Sequence, residues 1–222
     1  MHRNFEICSY DIRDLVKVVS LKPARIEFCQ NKNVGGLTPN LNDLDYAVST
    51  GIPIHPIIRP REGNFIYSKK EMDQMIKDIE VCKEKNCKGV VFGVLDKNLS
   101  IDTKKCKRLI THSKGLSTTF HMAFDVCRNP IKSMKKIIDL GFDRILTSGR
   151  KKNVKDGLDF IEKLVDESDD MISIMPGSNL RSSNIELFLK NRRIKDFHSS
   201  CYVNEKFSIE EAKLINKKII NF

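Results

Sequence analysis

Residues 52–60, IPIHPIIRP, read as a buried strand interrupted by an imidazole and a guanidinium. Successive side chains of a strand point to opposite faces. His55, Ile57 and Arg59 therefore share one face, and Ile54, Pro56 and Ile58 share the other. Both polar groups are costly to bury unless they find partners. The same alternation recurs in STTFHMAFD (117–125), where Thr119, His121, Ala123 and Asp125 oppose Thr118, Phe120, Met122 and Phe124. In FEICSY (5–10) Glu6 and Cys8 share a face, and in ARIEFC (24–29) Arg25, Glu27 and Cys29 do. A sheet with one polar and one apolar face is the pattern to be explained.

Four further short apolar runs complete a set of eight: GVVFGVL (89–95), RILTSG (144–149), ISIMPGS (172–178) and DFHSSC (196–201). Helical patterns lie between them. TPNLNDLDYAVST offers Thr38 as N-cap with Pro39 at the first helical position. SKKEMDQMIKDIEVCKEKN places Glu71 three residues after Ser68, a capping-box pattern. NPIKSMKKIIDLG closes on Gly141, a natural C-terminal glycine. Strands alternating with helices imply parallel pairing through right-handed crossovers. Eight such units predict an α/β fold of the TIM (β/α)8 barrel type, a single domain over 1–222. The alternative, an open doubly wound sheet, would want a GxGxxG turn after its first strand, and the chain has none.

The chain has 222 residues, 40% of them hydrophobic, enough for one packed core. Its net charge is +10, but the lysines are interleaved with acids along helices, as in SKKEMDQMIKDIEVCKEKNCK. That is a solvated helical exterior and not a nucleic-acid surface. No run is apolar enough to span a membrane, and MHRNFEICSY lacks the apolar core of a signal peptide. Seven cysteines, an odd number with no CxxC pair, speak against a disulfide framework. Reduced thiols in the cytoplasm are the expectation.

In a barrel the polar faces would line the interior and reach the C-terminal mouth, where barrel active sites lie. His55 and Arg59 would then join a cluster near the mouth, with Glu6, Glu27 and Asp125 as countercharge. Two uses follow. Cys8 and Cys29 each stand two residues after a glutamate on the first two strands. In register, their thiolates could clasp one soft ion, and thiolates select Cu(I). Alternatively, His55 and His121 could serve as general acid or base, positioned by Glu27, Glu6 or Asp125, with Arg59 holding a small phosphorylated or carboxylated metabolite. The turns TSG (147–149), PGS (176–178) and HSS (198–200) offer amides and hydroxyls for such an anion. A zinc site from His55, His121 and His198 is a minor variant. Plain core filling by buried ion networks is the competing structural reading. Cys82, Cys87, Cys106 and Cys127 show no partner pattern.

The motifs EICSY, RIEFC, GGLTP, IPIHPIIRPR, GVL, TFHMAFD, LTSG and HSS run in order from about residue 5 to residue 200, and in this order they resemble the CutC family. The resemblance implies a TIM barrel, a cytoplasmic location, a homodimer and a role proposed in copper homeostasis, with copper as the ion for Cys8 and Cys29. Three departures stand out. Met122 replaces the arginine usual in the family's TFHRAFD motif, PGSNL replaces a glycine-rich stretch, and the segment between HSSC and the last helix is short. By strand parity Met122 is expected to point away from the interior.

Overall fold

The computed structural model describes residues 3–222. Eight parallel strands form its centre: β1 (Asn4–Ser9), β2 (Arg25–Phe28), β3 (Ile54–Pro56), β4 (Gly89–Phe92), β5 (Ser117–Phe120), β6 (Arg144–Thr147), β7 (Ser173–Pro176) and β8 (Asp196–Ser199). Their hydrogen-bonded order is β3-β2-β1-β8 in one half and β4-β5-β6-β7 in the other. The halves join through a parallel bridge between Ile57 and Val91 and through the contact of β7 with β8. The result is a closed α/β barrel. Seven of the eight predicted apolar runs contain one of its strands whole, and the first, 5–10, overlaps β1, which starts one residue earlier at Asn4.

Seven helices connect the strands and an eighth follows the last: α1 (Ile12–Val19), α2 (Leu44–Ser49), α3 (Lys69–Glu84), α4 (Thr103–His112), α5 (Pro130–Asp139), α6 (Leu158–Ser168), α7 (Ile185–Leu189) and α8 (Ile209–Asn221). α3 starts on the expected capping box, with Ser68 accepting from the Glu71 amide and Glu71 from the Ser68 amide. Such a cap contributes about 1 kcal/mol. α5 begins on Pro130, and Gly141 lies just past its end at φ +83°. Thr38 and Pro39, in contrast, do not open a helix. The helical segment there starts with a 3-10 turn at Leu41–Asp43, capped by Asn40. Thr38 is instead bonded to Arg59: its amide donates to the Arg59 carbonyl at 2.9 Å, and its Oγ1 accepts from the Arg59 amide at 2.8 Å.

The outward face of each strand supplies the core. Ile7, Ile26, Ile54, Val90, Phe120, Ile145, Ile174 and Phe197 are buried in one apolar cluster beneath the helices. Each contributes about 1.5–3 kcal/mol by leaving water. The inward face is polar and equally buried: Glu6, Arg25, Glu27, His55, Thr119, Asp196 and His198. Two features depart from the sequence expectation. β5 ends at Phe120 and a 3-10 turn, Met122–Val126, follows, so strand parity stops at His121. After β8 the chain forms a small hairpin, β9 (Tyr202–Val203) and β10 (Lys206–Phe207), turned by Asn204 and Glu205 at φ +47° and +63°. Among the described residues no helix is long and apolar enough to cross a membrane.

Candidate functional site

The interior is built in levels set by strand register. Glu6 is level with Arg25 and His198, Glu27 with Cys8 and His55. At the lower level Arg25 bridges three strands: its Nε lies 2.5 Å from Glu6 Oε2, its Nη1 donates to Asp196 at 2.8 Å, and its Nη2 meets the Met175 sulfur at 3.0 Å. Asp196 also accepts from Ser173 on β7 at 2.5 Å. The second oxygen of Glu6 lies 2.6 Å from His198 Nδ1, and His198 Nε2 lies 3.5 Å from Glu27. Burial raises the pKa of Glu6, but the Arg25 charge and the His198 bond outweigh it and hold the carboxyl below the carboxylate range. Burial lowers that of His198, yet its bonds to Cys8 and Glu6 and the Glu27 charge push the imidazole well above its ordinary value. Burial, followed by the Cys8 charge, pushes Glu27 up.

Above this level Cys8 and Cys29 face each other with sulfurs 3.5 Å apart. They pack with Ile57, Val91 and Tyr10 in a small cluster separate from the main core. Cys8, Glu27 and Cys29 present three donor atoms within 4.8 Å of one another, as do Glu6, Glu27 and His198. Burial raises the Cys8 thiol, but hydrogen bonds from Cys29 and His198 bring it to about 5, while burial and the Cys8 sulfur push Cys29 well up. Tyr10 is raised by the Cys8 charge and by burial.

A cavity of about 350 Å³ opens over this cluster at the C-terminal mouth. Its wall includes Tyr10, Glu27, Arg59, His121, Met122 and His198, with Ser178 and Asn179 from the loop after β7, Ser199 at the end of β8 and Ser200 just beyond it. Met122 thus faces the mouth, against the parity expectation, because the 3-10 turn after β5 reverses its direction. Arg59 is largely committed. Its Nη1 donates to the Val34 and Gly36 carbonyls at 2.7 and 2.9 Å and its Nη2 to Gly63 at 3.2 Å. It straps two loops and contributes charge to the cavity more than a free fork.

Two expected members of the cluster lie elsewhere. His55 does not line the cavity. Its ring occupies the space where Gly89 lacks a side chain, and burial holds its pKa at about 3. Asp125 turns to the loop after β6, where it accepts from the Ser148 and Arg150 amides at 2.9 and 3.0 Å, from Ser148 Oγ and from Thr147 Oγ1. Nor do His55, His121 and His198 converge: among the described residues, the clusters with metal-ligand geometry contain only His198 of the three. Cys82 and Cys87 are neighbours after all. The Cys87 amide donates to the Cys82 carbonyl at 2.9 Å.

Arg25 was legible only as sharing a face with Glu27, and Asp196 and Tyr10 were missed. Parity would have found the last two, since Asp196 stands two before His198 and Tyr10 two after Cys8.

These are the features of a TIM-barrel protein with a polar, thiol-containing mouth. The family model that matches is described as the CutC family and covers residues 3–203, so the chain belongs to the CutC family. It is 41% identical over 202 residues to a CutC family protein of Parabacteroides distasonis, covering 90% of this chain and 83% of that protein. Against a CutC family protein of Pasteurella multocida it is 37% identical over 196 residues, covering 88% and 80%. A crystal structure of a candidate copper homeostasis protein CutC from Streptococcus agalactiae superposes with a TM-score of 0.84 at 32% identity, covering 89% of this chain and 98% of that one.

Proposed function

We propose that this protein binds Cu(I) through Cys8 and Cys29 at the floor of the barrel mouth, as part of copper handling in the cytoplasm. The observation that carries the reading is the 3.5 Å separation of the two sulfurs. At a metal–sulfur distance of about 2.3 Å, two such sulfurs subtend roughly 100° at a shared ion. That is a bent geometry, which leaves room for Glu27 as a third donor. The surroundings suit a soft ion: Ile57 and Val91 pack against both thiols, and neither cysteine is more than 2% exposed. The homodimer that the family resemblance implies belongs to the same proposal, with sedimentation as its test and cell fractionation as the test of location.

An anaerobic Cu(I) titration against a competing chelator tests the site, with the Cys8→Ser/Cys29→Ser variant beside the wild type. The expected result is one-to-one binding in the wild type and its loss in the variant. Equal affinity in the two would sink the assignment.

The mouth cavity favours a second reading, a small anionic metabolite bound above the thiols as substrate. Glu27, His121 and His198 border the cavity and supply the proton-bearing groups such chemistry needs. Ligand-detected NMR with small carboxylates and inorganic phosphate tests it, and absence of any binding would remove it.

A further inference from the structure

One wall of the mouth cavity holds a hydrogen-bond donor that the protein itself does not use. His121 is 3% exposed, and its Nδ1 accepts from the Ala123 amide at 3.2 Å. The neutral ring therefore carries its proton on Nε2. That nitrogen is buried without a partner. Burial, then the neighbouring Arg59 charge, lower the pKa of the ring to about 3, so it stays neutral across the physiological range.

The ring is also fixed in place. Phe65 packs against it, with centroids 4.9 Å apart and ring planes tilted by 53°. On another side Gly93 approaches so closely that a β-carbon there would lie 2.8 Å from His121 Nδ1. A buried N–H left without an acceptor is costly, and a ligand oxygen would recover that cost.

We propose that the mouth cavity binds a small organic carboxylate, one oxygen of which accepts a hydrogen bond from His121 Nε2–H. This rests on the second reading above and gives His121 a different role from the general acid or base expected from the sequence. It is a fixed donor to the ligand, the arrangement by which a neutral imidazole polarises or anchors an oxygen.

Three observations select the ligand class. The cavity, about 350 Å³, admits a small metabolite. Arg59 places a positive charge beside His121, with its guanidinium carbon 5.0 Å from the Phe65 ring centroid, which favours an anion over a neutral carbonyl compound. Yet its Nη groups are tied to loop carbonyls, so it cannot wrap an anion bidentately at that end. One fixed N–H with the Ser200 hydroxyl suits the two oxygens of a carboxylate better than the three of a phosphate, while the Ser199 hydroxyl is already committed to the Leu180 carbonyl at 2.8 Å. Glu27 also lies in the wall, but it is paired with His198 at 3.5 Å.

The test uses the full chain with 15N-labelled histidine. In the wild type the His121 ring is expected as the Nε2–H tautomer from about pH 5 to about pH 8. Its Nε2 proton is expected to move downfield on titration with pyruvate or benzoate and to stay unmoved with inorganic phosphate. His121→Leu should weaken carboxylate binding about tenfold, and His121→Gln, which retains an N–H, should recover part of it. If neither a carboxylate nor phosphate binds the wild type, both the small-anion reading and this proposal fail. If carboxylates bind while the His121 resonance stays put, the cavity reading stands and the donor assignment is overturned. Phosphate binding without carboxylate binding overturns the ligand class. Should His121→Leu fail to fold, the wild-type resonance decides alone.

Discussion

The imidazole of His198 and the carboxylate of Glu6 meet 2.6 Å apart inside the barrel, and Glu6 passes the contact on to Arg25, 2.5 Å from its other oxygen. Arg25 and Asp196 close the chain, so three strands are tied by one line of buried charge. Removing a single member strands the others. Arg25→Ala is expected to cost about 3–5 kcal/mol, because it leaves the buried Asp196 carboxylate without its ion-pair partner and Glu6 with His198 alone. Urea unfolding with an unchanged m-value would measure it. A loss below about 1 kcal/mol would mean that water enters to solvate the gap.

The same interior sets how metal uptake should depend on pH. Cys8 is held at about 5 and Cys29 well above the usual thiol value, so of the two thiols only Cys29 has a proton to give up at neutral pH. Metal binding requires both thiolates. Between about pH 6 and pH 8 one proton should leave per Cu(I) bound, and log affinity should rise about one unit per pH unit. Below about pH 5 the slope should approach two. An indicator dye in weak buffer reads the proton count directly. Release of two protons at neutral pH would contradict the unequal pair.

Acid stability is governed by two neutral rings. His55 and His121 both have pKa values lowered from 6.5 to about 3 by burial. Between those values the unfolded chain takes up protons that the native state refuses, so stability falls as pH drops from about 6.5 toward 3. At pH 4.5 the loss should be roughly 2–3 kcal/mol per ring relative to neutrality. Glu6, with its lowered pKa, adds to the loss as pH falls below the ordinary carboxylate value. His198, raised, acts in the opposite sense: its contribution is complete below about 6.5 and is lost as pH rises through its native value. Urea midpoints at pH 7 and pH 4.5 test this, and His55→Gln should flatten the acid limb by about one ring's share.

The barrel was legible because its strands obey a period of two with chemistry on both faces. Glu6, Arg25, Glu27, His55 and His121 all face inward as parity requires, and the apolar residues between them pack under the helices. What parity could not supply was depth or direction beyond the last strand residue. His55 and Arg59 share a face on paper, yet His55 fills the hollow above Gly89 while Arg59, past the three-residue β3, ties down the loop at Gly36. Asp125 and Met122 lie in the 3-10 turn after β5, where a strand period no longer applies, and each goes opposite to expectation. The pairing of Thr38 with Arg59 was hidden for another reason. Thr-Pro is a good helix start locally, but the backbone hydrogen bonds to the loop after β3 override it.

The Asp125 carboxylate should matter for the mouth without touching a ligand. It collects amides and hydroxyls from Thr147, Ser148 and Arg150, so it holds the loop after β6 in place. Asp125→Ala leaves the donors of buried Thr147 and Ser148 unsatisfied and is expected to cost about 3 kcal/mol. Amide hydrogen exchange should rise first at residues 148–150. Unchanged protection there would show that the loop is held by other contacts.

The His55 ring and Gly89 form a coupled pair that a double-mutant cycle can resolve. A β-carbon on Gly89 would stand 2.5 Å from His55 Cε1 and Nδ1 and 2.7 Å from Nε2, on all sides too close. Neither partner can easily give way, since His55 is 3% exposed and Gly89 is held between β3 and β5 by strand hydrogen bonding. Gly89→Ala should therefore destabilise by about 1–3 kcal/mol through overpacking. His55→Ala should also destabilise, by leaving a cavity in the barrel floor. In the double variant the new methyl occupies part of the space the ring vacates, so the combined loss should be smaller than the sum by at least about 1 kcal/mol. Additive losses would show that the two changes act through different parts of the structure and that the ring does not occupy the space above Gly89 in solution.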